Sequence, residues 1–159
     1  MWREWRLCIS ILYCFERDVV RNIENIIIEN DDLGLIPKRS FYGLYSLKKV
    51  DLNKIFYISA GAFCGRRLLN DIDLKSVRSI GQSAFENCIA LKTIDLSKVT
   101  EIGENAFKGC TGLATVTLPT DAGKAKKFKE AICYQTWKKP GDGIKPRTIN
   151  FINDPDPAE

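Results

Sequence analysis

The side chains best suited to covalent chemistry in this 159-residue sequence are its six cysteines: Cys8, Cys14, Cys64, Cys88, Cys110 and Cys133. A thiol becomes a nucleophile when a neighbouring base or cation draws off its proton. The usual base is missing, because the sequence contains no histidine. Ser–His and Cys–His pairs, His metal sites and the helical zinc-protease motif are thereby excluded. No Cys-x-x-Cys occurs either, so neither a zinc ribbon nor a thioredoxin-type redox site is suggested. The even cysteine count permits disulfides. In a chain with 45% hydrophobic residues, however, small buried thiols are the better reading. There is no Gly-rich phosphate loop and no nucleophile–base pair. The sequence reads as a non-enzyme with no catalytic residue, no metal ligand and no cofactor.

A second chemical feature is a set of carboxylates. Asp51, Asp73 and Asp95 recur at intervals of 22 residues. Brought side by side, they would form an acidic stripe that meets a basic partner or a hard cation such as calcium. No Asp-x-Asp-x-Asp-Gly loop supports calcium. The plainer alternative is a solvated face whose charges keep the protein soluble.

The same 22-residue step governs the apolar residues that must position these groups. Phe41, Phe63, Phe85 and Phe107 keep it. So do Ile36, Ile58, Ile80 and Ile102, and Leu47, Leu69, Leu91 and Leu113. Val50, Ile72, Ile94 and Val116 form a further column, as do Leu52, Leu74, Leu96 and Leu118, and Ile55, Val77 and Val99. So many columns in one register mark an internal repeat. Ile23, Ile26 and Ile28 carry the Leu-x-x-Ile-x-Leu spacing once more, at a step of 24. In each unit the Ile-x-Leu segment alternates as a half-buried strand does. The Ala-Phe segment fits a tight turn, with Gly43, Gly65 or Gly109 nearby to permit it. One unit cannot bury its own Phe, Leu and Ile, whereas stacked units bury them as ladders. The expected fold is a solenoid whose strands, near 49–53, 71–75, 93–97 and 115–118, pair in parallel as one long sheet. Neighbouring strands would lie roughly 4.8 Å apart.

The unit running from Ile80-Gly through Ala84-Phe85, Cys88, Leu91, Ile94 and Leu96 resembles the BspA-type leucine-rich repeat. The next unit, Ile102-Gly through Leu118, matches it as closely. The match is good at 58–79 and partial at 36–57, where Ser40 replaces the Ala. Leu44 and Arg66 stand where the Cys88 and Cys110 column would run. The resemblance implies a right-handed leucine-rich-repeat solenoid, usually found in surface or secreted proteins of bacteria and some protists. It implies a role in binding proteins or host surfaces rather than catalysis. It also makes Cys88 and Cys110 core positions, hence reduced thiols lining the interior.

Three segments follow from this register: 1–35 as an N-terminal cap or degenerate first turn, 36–119 as four 22-residue repeats, and 120–159 as a C-terminal helix, edge strand and tail. Near the start, Trp2–Arg6 and the apolar Leu7–Phe15 superficially resemble a leader. No small-residue cleavage site follows before Glu16-Arg17-Asp18. A first strand, or the edge of a longer protein, is expected instead. Near the end, Thr120 or Asp121 should cap a helix running to about Lys139 and stopped by Pro140-Gly141. From Asp121 to Arg147, eight basic residues face three acidic ones. The helix Lys124–Lys129 is read as a terminal cap, with nucleic acid or anionic membrane as the less favoured partners. Arg147–Ile152 reads as an edge strand.

The residues between the apolar positions of each strand point outward. They give the rows Lys49–Asp71–Thr93–Thr115, Asp51–Asp73–Asp95–Thr117 and Asn53–Lys75–Ser97–Pro119. This face is the expected protein-binding site. The alternative function is a structural or scaffold subunit of a larger intracellular assembly. The location implied by the resemblance is the cell surface or outside the cell; a cytoplasmic location is the alternative, since the start lacks a convincing signal peptide. A small-molecule substrate is not expected.

Overall fold

A computed structural model describes residues 4–7, 22–28, 34–52, 54–136 and 149–154, without the side chains of 4–7 and 133–136. Expectations for Cys8, Cys14, Leu33, Asn53, Trp137, Pro140-Gly141 and the 155–159 tail fall outside these residues, as does the Cys133 side chain.

The chain coils so that each turn contributes two strands, not one. The main ladder contains β1 (Glu4–Leu7), β2 (Asn25–Ile28), β4 (Lys49–Asp51) and β6 (Asp71–Ile72), then β8 (Thr93–Asp95), β10 (Thr115–Thr117) and β11 (Asn150–Ile152). All strand pairings among the described residues are parallel, and they keep the register of the repeat: Val50 opposes Ile72, and Val116 opposes Ile94. Ile26 opposes Val50, so the early 24-residue step joins the same ladder. A second, narrower ladder of β3 (Leu35–Ile36), β5 (Tyr57–Ile58), β7 (Ser79–Ile80) and β9 (Glu101–Ile102) runs along another side.

These findings correct two expectations. The sheet is not one long unit, because a second ladder exists and the main ladder is interrupted between β6 and β8. The main strands also stop two to three residues early, at Asp51, Ile72 and Asp95. The cause at two of them is local. Asp73 Oδ1 accepts the Lys75 N–H at 2.9 Å, and Asp95 Oδ1 accepts that of Ser97 at 2.9 Å. These Asx turns bend the backbone out of the ladder.

The core lies between the two ladders. Phe41, Phe63, Phe85 and Phe107 are fully buried and form one stack, with ring centroids 4.3, 5.1 and 5.4 Å apart and planes within 13° of parallel. Each such aromatic pair adds about 0.5–1.5 kcal/mol beyond the area it buries. Around the stack lie the Ile, Leu and Val columns. The turn beside each Phe is closed by left-handed backbone on both sides, as at Ser83 (φ 53°) and Asn87 (φ 61°) around Phe85. The glycine of the Ile-Gly pair has a different reason. A Cβ at Gly81 would lie 2.7 Å from the Ala60 nitrogen, and one at Gly103 would lie 2.5 Å from that of Gln82. Successive turns are in backbone contact there, and a side chain would part them.

The C-terminal end of the stack is closed by helix α1 (Ala122–Thr136) and β11. Asp121 is the N-cap: its Oδ1 accepts the Lys124 N–H at 2.8 Å. Ala125, Phe128 and Ile132 are buried and join the core, together with Ile149. Lys124, Lys126 and Lys127 face solvent. Lys129 instead pairs with Asp154 at 2.9 Å, with both side chains largely buried. The helix is described as far as Thr136, and its expected continuation to about Lys139 lies outside the described residues.

Candidate functional site

The alternation of each main strand decides what faces outward. Val50, Ile72, Ile94 and Val116 are buried, so their neighbours in sequence stand on the opposite side. Lys49, Asp71, Asp73, Lys75 and Thr93 are exposed, while Asp51, Asp95, Thr115 and Thr117 are half-buried. The strand pairing sets Lys49 opposite Asp71, Thr93 opposite Thr115, and Asp95 opposite Thr117. All nine expected face residues therefore lie on or beside one ladder, although its interruption parts Asp73 from Asp95.

The charges on this face are largely answered from within it. Lys49 Nζ lies 2.8 Å from Asp71, and Lys75 Nζ lies 3.5 Å from Asp73. All four side chains are open to solvent, so each pair contributes no more than about 1 kcal/mol. Asp73 and Asp95 also serve the backbone through their Asx turns. The face is a mixed, ordered polar surface rather than a purely acidic stripe. Among the described residues, no group of three or more Cys, Asp or Glu side chains is placed to hold a metal ion.

Cys88 and Cys110 lie in the interior as free thiols. Cys88 Sγ donates to the Phe63 carbonyl oxygen at 3.2 Å, and Cys110 Sγ donates to that of Phe85 at 3.0 Å. Burial, with the neighbouring Cys110, pushes the Cys88 thiol far above the ordinary range; burial pushes Cys110 up to about 12. Both are protonated donors at neutral pH, the reverse of an activated nucleophile.

Sequence reasoning missed two features, the first being the burial of Arg66. Arg66 occupies the cysteine column and is only 3% exposed. Its Nη1 donates to the Phe41 carbonyl oxygen at 2.9 Å, its Nε to that of Cys64 at 3.2 Å, and its guanidinium carbon lies 5.1 Å from the Tyr45 ring centroid. The signal was its place in an otherwise buried column. The second feature is a cluster of exposed rings: Tyr42, Tyr45, Phe56 and Tyr57. The equivalent positions of later turns hold Glu86, Lys108, Thr100 and Glu101, so these rings break the pattern of their own columns.

A parallel solenoid with a stacked phenylalanine spine, a thiol column and a helical end-piece defines a class of repeat protein. The BspA type leucine rich repeat profile matches residues 12–136 in six copies, and the chain belongs to that family. Comparison with curated proteins finds no match. Among solved structures, the chain is similar to a leucine-rich repeat protein from Bacteroides ovatus, with 26% identity and a TM-score of 0.63 over 82% of this chain. It is also similar to a T. pallidum leucine-rich repeat protein, with 29% identity and a TM-score of 0.50 over 63% of this chain. A leucine-rich cell surface protein from Faecalibacterium prausnitzii shares the fold at 23% identity and a TM-score of 0.59, over 81% of this chain and 32% of its own. The chain spans 44% of the length of the T. pallidum protein and 37% of the B. ovatus protein.

Proposed function

We propose that this chain is a non-catalytic protein-binding module, part of an adhesin-like surface protein, and that its partner docks on the exposed face of the main ladder. The carrying observation is the register of that face. Lys49 stands opposite Asp71 and Thr93 opposite Thr115, on two runs of parallel backbone pairing laid over one buried spine. A platform already rigid loses little freedom on binding, which leaves more of the contact energy as affinity. Charged neighbours at successive turns add specificity and a salt-sensitive encounter rate. Family membership supports the binding role and the surface location.

Site-specific photocrosslinking tests the reading. A photoreactive amino acid at Thr93 or Thr115 should capture a partner protein, while one at Lys126 on the terminal helix should not. The pair Asp73→Asn with Asp95→Asn keeps the Asx-turn acceptors but removes the charge. It should weaken capture without altering the melting temperature. Capture from Lys126 alone would move the interface to the helix and end this proposal.

A further inference from the structure

The repeats are alike inside and unlike outside. Residues 36–79 carry nine Lys and Arg against three Asp, a net charge of +6, whereas 80–118 carry three Lys against four acids, a net charge of −1. The exposed aromatic side chains among the described residues are equally one-sided. Tyr42 is 76% exposed, Tyr45 56%, Tyr57 52% and Phe56 44%, and all four fall within a single turn. Stacking does not require rings there, because the later turns fold with Glu86, Lys108, Thr111, Thr100 and Glu101 in the same columns. A ring held mostly in water costs hydration free energy that burial would recover.

Arginines follow two of these rings in their columns, and the Arg78 guanidinium reaches on to the Lys98 carbonyl oxygen at 3.5 Å. Arg67 takes the column of Tyr45 one turn further on, and Arg78 takes that of Phe56, with the Arg78 N–H bonded to the Phe56 carbonyl at 2.8 Å. One such ring–arginine pair precedes the main strand and the other follows it. The Arg66 guanidinium already lies over Tyr45 and holds that ring in place. Arg39 and Arg67 are exposed, and the Arg39 carbonyl accepts the Tyr42 N–H at 2.9 Å.

We infer that the 36–79 surface, around Tyr42, Tyr45, Arg39, Arg67, Phe56 and Arg78, binds single-stranded nucleic acid. This ligand offers a repeating pair of groups, a phosphate charge and a flat ring, and the surface offers the complement of both. Bases stack on tyrosine and arginine planes, and phosphates take bidentate contacts from arginine. A sulfated polysaccharide would answer the charge, but its puckered sugars bring only C–H faces, not a π face, to the rings. The basic helix is the poorer candidate: its exposed Lys124, Lys126 and Lys127 have no exposed aromatic beside them among its described side chains, and Lys129 is tied to Asp154. None of the nine main-face residues is a named contact; the five of them within 36–79 sum to −1, so the positive excess does not come from that face, which the two ring–arginine pairs flank.

Fluorescence anisotropy with a labelled oligouridylate of about 20 nucleotides tests it on the whole chain. Binding in the micromolar range at low salt is expected, with log K falling against log salt at a slope of about −2, as for roughly three phosphate contacts. Tyr42→Ala and Tyr45→Ala should each weaken binding about tenfold, while Tyr42→Phe and Tyr45→Phe keep it. Arg67→Ala with Arg78→Ala should flatten the salt slope. Circular dichroism melts confirm that each variant is folded. Asp73→Asn with Asp95→Asn should leave oligouridylate binding unchanged, which separates this result from the fate of the main face. Three outcomes overturn the inference: no binding at about 100 μM protein and low salt; binding indifferent to both Tyr→Ala changes and matched by heparin; or loss caused by Lys126→Glu with Lys127→Glu instead.

Discussion

Arg66 Nη1 donates to the carbonyl oxygen of Phe41 at 2.9 Å, 25 residues back along the chain. Cys88 has the same relation to Phe63, and Cys110 to Phe85, each again across 25 residues. Each Phe carbonyl already accepts one turn hydrogen bond, as Phe63 does from the Arg66 N–H and Phe85 from the Cys88 N–H. The column residue fills the second lone pair, which burial would otherwise leave without a donor. Cysteine and arginine, so unlike in charge, perform one task in successive turns.

Arg66→Ala should therefore destabilise the fold by about 2–4 kcal/mol, from a lost charged hydrogen bond and the space left behind. Arg66→Cys restores a donor of the kind used in the next two turns and should cost less than Arg66→Ala. Urea denaturation of the three proteins gives the order. Equal loss in both variants would mean that the guanidinium's contacts to Tyr45 and Cys64, rather than the Phe41 hydrogen bond, carry the stability.

The phenylalanine spine gives a large expected loss from a single substitution. Phe85 is stacked on both sides, at 5.1 Å to Phe63 and 5.4 Å to Phe107. Phe85→Ala should cost about 3–5 kcal/mol, in line with core ring truncations. Ile89→Ala, on the exposed side of the same turn, should lie within about 0.5 kcal/mol of the parent. A Phe85→Ala protein that melts with the parent would show that the spine carries little of the stability.

The thiols predict a pH signature. Burial raises the folded-state pKa of Cys110 from the ordinary 9.0 to about 12, and raises that of Cys88 as well. An acid whose folded pKa is raised holds its proton more tightly when folded. Its contribution is intact below about pH 9 and declines as pH rises toward 12. Cys110→Ala should lower stability at neutral pH yet flatten the alkaline decline relative to the parent. In parallel, peptide mapping after brief alkylation at pH 8 should find Cys64 modified well ahead of Cys88 and Cys110, because Cys64 is the one of the three that is not fully buried. Rapid native labelling of Cys88 and Cys110 would contradict the column.

The spine and the main register were legible in the sequence because burial repeats. A residue that must face a copy of itself one turn away is written four times, as Phe41, Phe63, Phe85 and Phe107 are. The second ladder was not legible. Its strands are two residues long, and the Ile36, Ile58, Ile80 and Ile102 column gives one apolar position per strand, too short for alternation to show. Strand lengths in the main ladder were overread because an Asp in an alternating pattern looks like an outward strand residue, whereas Asp73 and Asp95 close turns. The outward side of Lys49, Asp71, Thr93 and Thr115 follows from alternation, since period two fixes the side once one position is buried. Their charge pairing depended on side-chain reach across turns, which spacing does not encode. The column of Arg66 was legible but its burial was not, because its type argues for solvent while its column argues for the core.

The Lys129–Asp154 pair should hold the terminal cap shut. It links α1 to the residues that follow β11, and Lys129 Nζ also lies 5.9 Å from the Phe151 ring centroid. Removing one partner of a buried pair strands the other charge, at about 3–5 kcal/mol. Asp154→Ala should lower stability by about that amount and speed proteolysis near the C-terminal end. Lys129→Met with Asp154→Leu removes both charges and should recover much of the loss. A double variant no better than Asp154→Ala would mean that lost packing, not the stranded charge, dominates.

The last prediction separates scaffold from recognition on the candidate face. Asp95 has two attributes: an oxygen that accepts the Ser97 N–H at 2.9 Å, and a charge beside Thr93 and Thr117. Asparagine keeps the acceptor and loses the charge, while alanine loses both. If the side chain serves mainly to turn the backbone, Asp95→Ala should cost about 1 kcal/mol and Asp95→Asn almost nothing. Thermal melts read that difference directly. If the charge also recruits a partner, Asp95→Asn should weaken partner capture while its melting temperature stays with the parent, and the deficit should shrink as salt is raised and screens the parent's advantage. Capture that falls only in Asp95→Ala, in step with stability, would assign this residue to the turn alone and shift the search for the binding determinant to the Lys49–Asp71 end of the ladder.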